Sequence, residues 1–131
     1  ENRDTNATAG KNILFVDDEI YLAEVGKEML EDYGYEVDIT TDSLIAFDLF
    51  KRAPLRYDLL ITDYTMPGMT GDQLMEAVRR IRPELPVIVC TGITLPTDVM
   101  ERISTATLLM KPFDMDDILR TVQGLLEDTG T

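Results

Sequence analysis

The chain has no histidine, no tryptophan and a single cysteine among its 131 residues, and its 12 Lys+Arg are outnumbered by 25 Asp+Glu. Without histidine there is no imidazole acid–base catalysis, no histidine metal ligand and no phosphohistidine within this sequence. One cysteine, Cys90, excludes an internal disulfide and a multi-cysteine zinc site, and it fits a reducing compartment. The net charge of −13 repels polyphosphate, which argues against nucleic-acid binding by this domain. No apolar run approaches the ~20 residues of a membrane span, and no signal peptide is visible. The expectation is an acidic cytoplasmic domain without membrane contact. The length suits one domain with a sizeable core.

What is present alternates along the chain. Residues 1–10 are polar and lack apolar periodicity, so they read as a disordered tail or linker before a domain over 11–127, with a polar tail at 128–131. Short apolar runs at Ile13–Val16, Tyr35–Ile39, Leu59–Ile61, Val87–Cys90 and Thr107–Met110 have the Val/Ile richness of strands buried on both faces. Helical patterns separate them. Leu22, Val25, Met29 and Leu30 keep the 3.6 period in the first, and Asp42 or Ser43 caps the second, which stops before Pro54. Leu74, Val78 and Ile81 mark the third. The fourth, near Pro96–Ile103, is poorly patterned, and the fifth runs from an Asp114 cap through Ile118, Leu119 and Val122. Five strands alternating with five helices predict a doubly wound α/β fold around a parallel sheet.

Sites in such sheets form beyond the carboxyl ends of the strands, at a topological switch point. The first strand delivers Asp17 and Asp18 there, the third Asp63, the fourth Thr91 and the fifth Lys111. Three crowded carboxylates repel, and a single lysine cannot neutralise them, so a divalent cation is their natural complement. Oxygen ligands without histidine or cysteine favour Mg²⁺, or Mn²⁺, over zinc. A carboxylate such as Asp63 is already deprotonated at neutral pH, and it can attack phosphorus to give an acyl phosphate without a general base. Lys111 and Thr91 would then face the equatorial oxygens.

The combination resembles the receiver domain of two-component response regulators over about Lys11–Leu126. Val16-Asp17-Asp18-Glu19 matches the acidic-pair motif. The run from Asp63 through Met66-Pro67-Gly68 to Gly71 matches the phosphoacceptor loop, Thr91 the hydroxyl switch position, and Lys111-Pro112-Phe113 the lysine motif. The resemblance implies a flavodoxin-like sheet in the order 2-1-3-4-5. It also implies Asp63 as phosphoacceptor and a metal held by Asp18, Asp63, the Thr65 backbone carbonyl and, through water, Asp17. Thr91 and Lys111 would bind the phosphoryl group, and the Lys111–Pro112 bond is commonly cis in the family. The implied partner is a sensor histidine kinase or a phosphotransfer domain. The polar lead-in and the first residue, Glu1, resemble the receiver module of a hybrid sensor kinase.

Two positions depart from that pattern. Leu108 stands where the family usually has an aromatic rotamer switch, and Ser104-Thr105-Ala106 replaces the small pair before the last strand. Two rival readings remain open on the residues alone. One is an interaction scaffold that is not phosphorylated; the other is a haloacid-dehalogenase-like phosphatase, which would need a cap domain that this length does not supply.

Overall fold

The structure is a computed structural model, and it describes residues 11–127. The tails read from the sequence at 1–10 and 128–131 lie outside the described residues.

The five apolar runs become strands: β1 (Asn12–Val16), β2 (Glu36–Thr40), β3 (Leu59–Asp63), β4 (Val87–Thr91) and β5 (Thr107–Met110). The helices between and after them are α1 (Ile20–Asp32), α2 (Ser43–Arg52), α3 (Gly71–Ile81), α4 (Thr97–Arg102) and α5 (Met115–Leu126). All strand pairs are parallel, and the order is β2-β1-β3-β4-β5. Parallel neighbours need crossovers, so the helices are laid on both faces of the sheet.

The period of two in each strand divides its side chains between two cores. Leu14, Leu60 and Val89 face Phe50 of α2, Leu74 and Val78 of α3, and Val99 of α4. Ile13, Phe15, Ile61 and Ile88 face Leu30 of α1 and Ile118 and Val122 of α5. Every residue of β3 and β4 is buried, as their unbroken apolar runs predict. The two edge strands differ from that expectation. β2 is buried only at Val37, while in β5 Thr107, Leu108 and Leu109 are half-buried and Met110 is exposed. β5 has a strand neighbour on one side only, and on the face of Leu108 its cover is α4, which has six residues and buries only Val99 within its span.

The helix ends follow local chemistry. Asp42, rather than Ser43, caps α2, its carboxylate accepting from Leu44 N at 2.7 Å and Ile45 N at 3.4 Å. The Asp114 carboxylate accepts from Asp117 N while Asp117 accepts from Asp114 N, both at 3.0 Å, which starts α5 at the expected residue. No helix of the described residues is long and apolar enough to cross a membrane.

Candidate functional site

Between β1 and β3 the chain reverses its direction of winding, and the carboxyl ends of these neighbours open a crevice. β1 places Asp17 there, buried, with Asp18 exposed beside it. Asp63 closes β3 and is only 6% exposed. One carboxylate oxygen from each of Asp17, Asp18 and Asp63 lies within 4.8 Å of the others. Two charges at that separation, Asp17 and Asp63 for instance, repel by roughly 3 kcal/mol at the effective permittivity of a protein.

The Asp63 carboxyl is pushed up to about 7, first by burial and then by the charge of Asp17, with Lys111 pulling in the opposite direction, so it is not the fully ionised carboxylate at neutral pH that the sequence suggests. Lys111 reaches the site from the end of β5 and donates from Nζ to Asp63 Oδ2 at 3.2 Å. Its Nζ is 3.1 Å from Oδ1 as well, yet that contact lacks hydrogen-bond geometry, and Oδ1 is a buried oxygen without a hydrogen-bond donor. Burial lowers the Lys111 ammonium, but the hydrogen bond and charge of Asp63 outweigh it and hold the group above the ordinary lysine value. The Lys111–Pro112 peptide is cis.

Thr91 ends β4 one strand further on and is buried. Its hydroxyl is engaged locally, accepting from Ile93 N and donating to Ile93 O, each at 3.2 Å, so it makes no bond to Asp63. The Thr91 carbonyl accepts from Lys111 N at 2.8 Å, which ties the two strand ends together. Thr65 is exposed on the loop between β3 and α3. Leu108 is not at the acid cluster. It lines a groove of about 160 Å³ with Ile93, Leu95, Met100 and Met110, beside α4. Cys90 lies behind Asp63, and burial foremost pushes its thiol up to about 12, which leaves it inert as a nucleophile.

Three contacts around the site carry no sequence signal, although Gly71 itself belongs to the phosphoacceptor-loop motif and Ser43 reads as a possible helix cap. Gly71 presses against the backbone of Asp63, Ser43 bonds the loop that follows Asp63, and Asp72 is buried in the first turn of α3. Asp72 accepts from Thr70 Oγ1 at 2.6 Å and from Arg102 Nη2 at 2.7 Å. Burial raises its pKa, but those donors prevail and hold it below the usual carboxylate range.

The model of the response regulator receiver domain family matches residues 13–123. The chain belongs to that family. It is a signalling domain of two-component systems. Among curated relatives, the response regulator RppA of Synechocystis is 32% identical over 86% of this chain and 49% of its own length. The probable transcriptional regulator ycf29 of Porphyra purpurea is 30% identical over 88% of this chain and 56% of its own. The receiver thus spans about half the length of these regulators. Among solved structures, the chemotaxis protein CheY4 of Vibrio cholerae superposes with a TM-score of 0.79 at 32% identity, covering 90% of this chain and all of that one. The response regulator TrrA of Thermotoga maritima, crystallised in complex with Mg(2+)-BeF, gives a TM-score of 0.78 at 31% identity, with 88% and 99% of the chains covered.

Proposed function

We propose that this receiver accepts a phosphoryl group on Asp63 and that the resulting acyl phosphate switches its contacts with a protein partner. The observation that carries the reading is the buried Asp63 itself, with Oδ1 lacking a donor, two more carboxylates within 4.8 Å, and Lys111 as the facing cation. An all-oxygen set of that charge fits Mg²⁺ or Mn²⁺, which Asp18, Asp63, the Thr65 carbonyl and, through water, Asp17 would hold. When bound, the ion supplies positive charge against the carboxylates and the transferring oxygens.

A carboxylate oxygen of Asp63 forms the new bond to phosphorus as the bond from phosphorus to the donor's imidazole nitrogen breaks. The imidazole leaves with that electron pair and takes a proton from solvent. Because this chain has no histidine, the donor is a residue of a kinase or phosphotransfer domain outside it. Lys111 already sits at Asp63 and, with three donors, can hold both the carboxylate and a phosphoryl oxygen. Thr91 donates to Ile93 O in the unmodified protein, so binding the phosphoryl group exchanges one acceptor for another and draws on the segment leading to α4. With Leu108 in place of an aromatic residue, that movement is not passed on through a ring swinging in the groove beside β5.

Incubation with Mg²⁺ and acetyl phosphate, read by intact mass, tests the proposal. One phosphoryl gain in the native chain and none in Asp63→Asn is the expected result. Metal binding without an adduct from either acetyl phosphate or a phosphohistidine donor overturns it in favour of a scaffold role. Steady release of phosphate from many monoesters overturns it in favour of a phosphatase.

A further inference from the structure

The segment from Tyr64 to Thr70 joins Asp63 to α3 and carries the Thr65 carbonyl. A backbone carbonyl cannot adjust as a side chain does, so its aim depends on how this loop is held. The base of the loop is closed by backbone bonds: Tyr64 N donates to Cys90 O and Gly71 N donates to Tyr64 O, both at 2.8 Å. Its far end is held by Thr70 N donating to Gln73 Oε1 at 3.0 Å. Only one side chain from another element bonds the middle of the loop among the described residues. Ser43 Oγ donates to Pro67 O at 2.7 Å and accepts from Met69 N at 2.6 Å.

The bond pair spans a turn whose central residue, Gly68, has a φ of +87°. A Cβ there would lie 3.0 Å from both Ser43 Oγ and Leu44 Cγ, so the turn rests directly on the first turn of α2. Ser43 is fully buried, and its hydroxyl is not used by its own helix, because Asp42 supplies the cap. A buried hydroxyl needs partners, and both of these lie more than twenty residues along the chain, on the loop after Asp63.

We infer that Ser43 is a positioning residue for phosphoryl acceptance: from the platform of α2 it sets the loop that presents the Thr65 carbonyl beside Asp63. The inference rests on the proposed role of Asp63. Ser43 touches neither the phosphoryl group nor the ion, and it acts through the Pro67–Met69 backbone. Loss of such an outer hydrogen bond typically lowers metal affinity or activity by roughly tenfold or more.

The test compares the native chain, Ser43→Ala and Ile13→Val. Ile13 is fully buried at the opposite end of β1 from Asp17, so its variant lowers stability without touching the loop. In metal-free protein, hydrogen exchange of the Met69 amide should accelerate at least tenfold in Ser43→Ala and remain native in Ile13→Val. Calorimetric Mg²⁺ affinity and the rate of Asp63 labelling by acetyl phosphate should both fall by about tenfold in Ser43→Ala alone. If Ser43→Ala binds Mg²⁺ and labels at native levels, the inference is overturned while the phosphoacceptor reading stands. Equal losses in both variants overturn it too, since stability alone then accounts for them. If the native chain itself neither binds Mg²⁺ nor labels, the reading of Asp63 fails first, and the inference goes with it.

Discussion

Glycine to alanine should have opposite signs at two helical positions of this receiver. At Gly71, the first residue of α3, a Cβ would lie 2.5 Å from the Asp63 carbonyl oxygen, 2.9 Å from Tyr64 Cα and 3.1 Å from the Asp63 carbonyl carbon. Carbon and oxygen settle at about 3.3 Å even in the closest common contacts, so the two backbones must part by about 0.8 Å. All three obstructing atoms are main chain, and none can rotate away. Overpacking of this kind costs about 1–3 kcal/mol, against about 0.4–1 kcal/mol recovered from the less flexible unfolded chain. The net loss is about 1–2 kcal/mol, or a melting temperature lower by roughly 4–8 °C for a domain of this size. At Gly124, exposed within α5, a Cβ meets nothing within 4 Å. There alanine should add about 0.5–1 kcal/mol through helix propensity alone. The displacement at Gly71 also moves the strand end bearing Asp63, so labelling by acetyl phosphate should slow by roughly tenfold or more in Gly71→Ala and be unchanged in Gly124→Ala. Thermal melts and a labelling time course on the two variants decide the matter. A Gly71→Ala protein that melts and labels as the native chain does would refute the reasoning.

Mg²⁺ should raise the melting temperature, by about 1.4 kcal/mol in stability when its free concentration is ten times its dissociation constant. The shift should vanish in Asp18→Asn, and a native melt indifferent to millimolar Mg²⁺ would count against the assigned ligands. Asp72 contributes stability above the unfolded carboxylate range, because its pKa is depressed in the folded state; that contribution is lost as pH falls through the folded value. The stability gap between the native chain and Asp72→Asn should therefore be widest near neutral pH and close in acid, and a gap independent of pH would show that the Arg102 pairing contributes nothing.

The residues of the pocket were legible because their signal is positional. Asp17 and Asp18, Asp63, Thr91 and Lys111 each follow an apolar run directly, and in a parallel sheet the carboxyl ends of all runs lie on one edge. Alternation of strand and helix patterns was enough to predict that sheet, and the structure has five strands in the order expected from the family. The burial of β5 was not legible, since its composition is as apolar as that of β4. What differs is position: β5 pairs only with β4, and on the face of Leu108 its cover is α4, a helix of six residues whose pattern is poor in sequence.

The residues that hold the pocket in shape were invisible for a different reason. Ser43 reads in sequence only as a possible helix cap, and Asp72 draws no reading at all. Their partners, Pro67, Met69 and Arg102, lie 24 to 30 residues away, and no periodicity links them. Gly71 is legible as the glycine that closes the phosphoacceptor loop, but its close approach to the Asp63 backbone, a distance rather than a turn conformation, is not. Chemistry in this receiver is thus delivered by strand ends, each readable one at a time. Its geometry is set by contacts between the first turns of α2 and α3 and the loop that separates Asp63 from Gly71. A substitution at Ser43 or Asp72 leaves every motif residue in place, yet it should degrade phosphoryl acceptance if the backbone those contacts hold is what aims the loop beside Asp63.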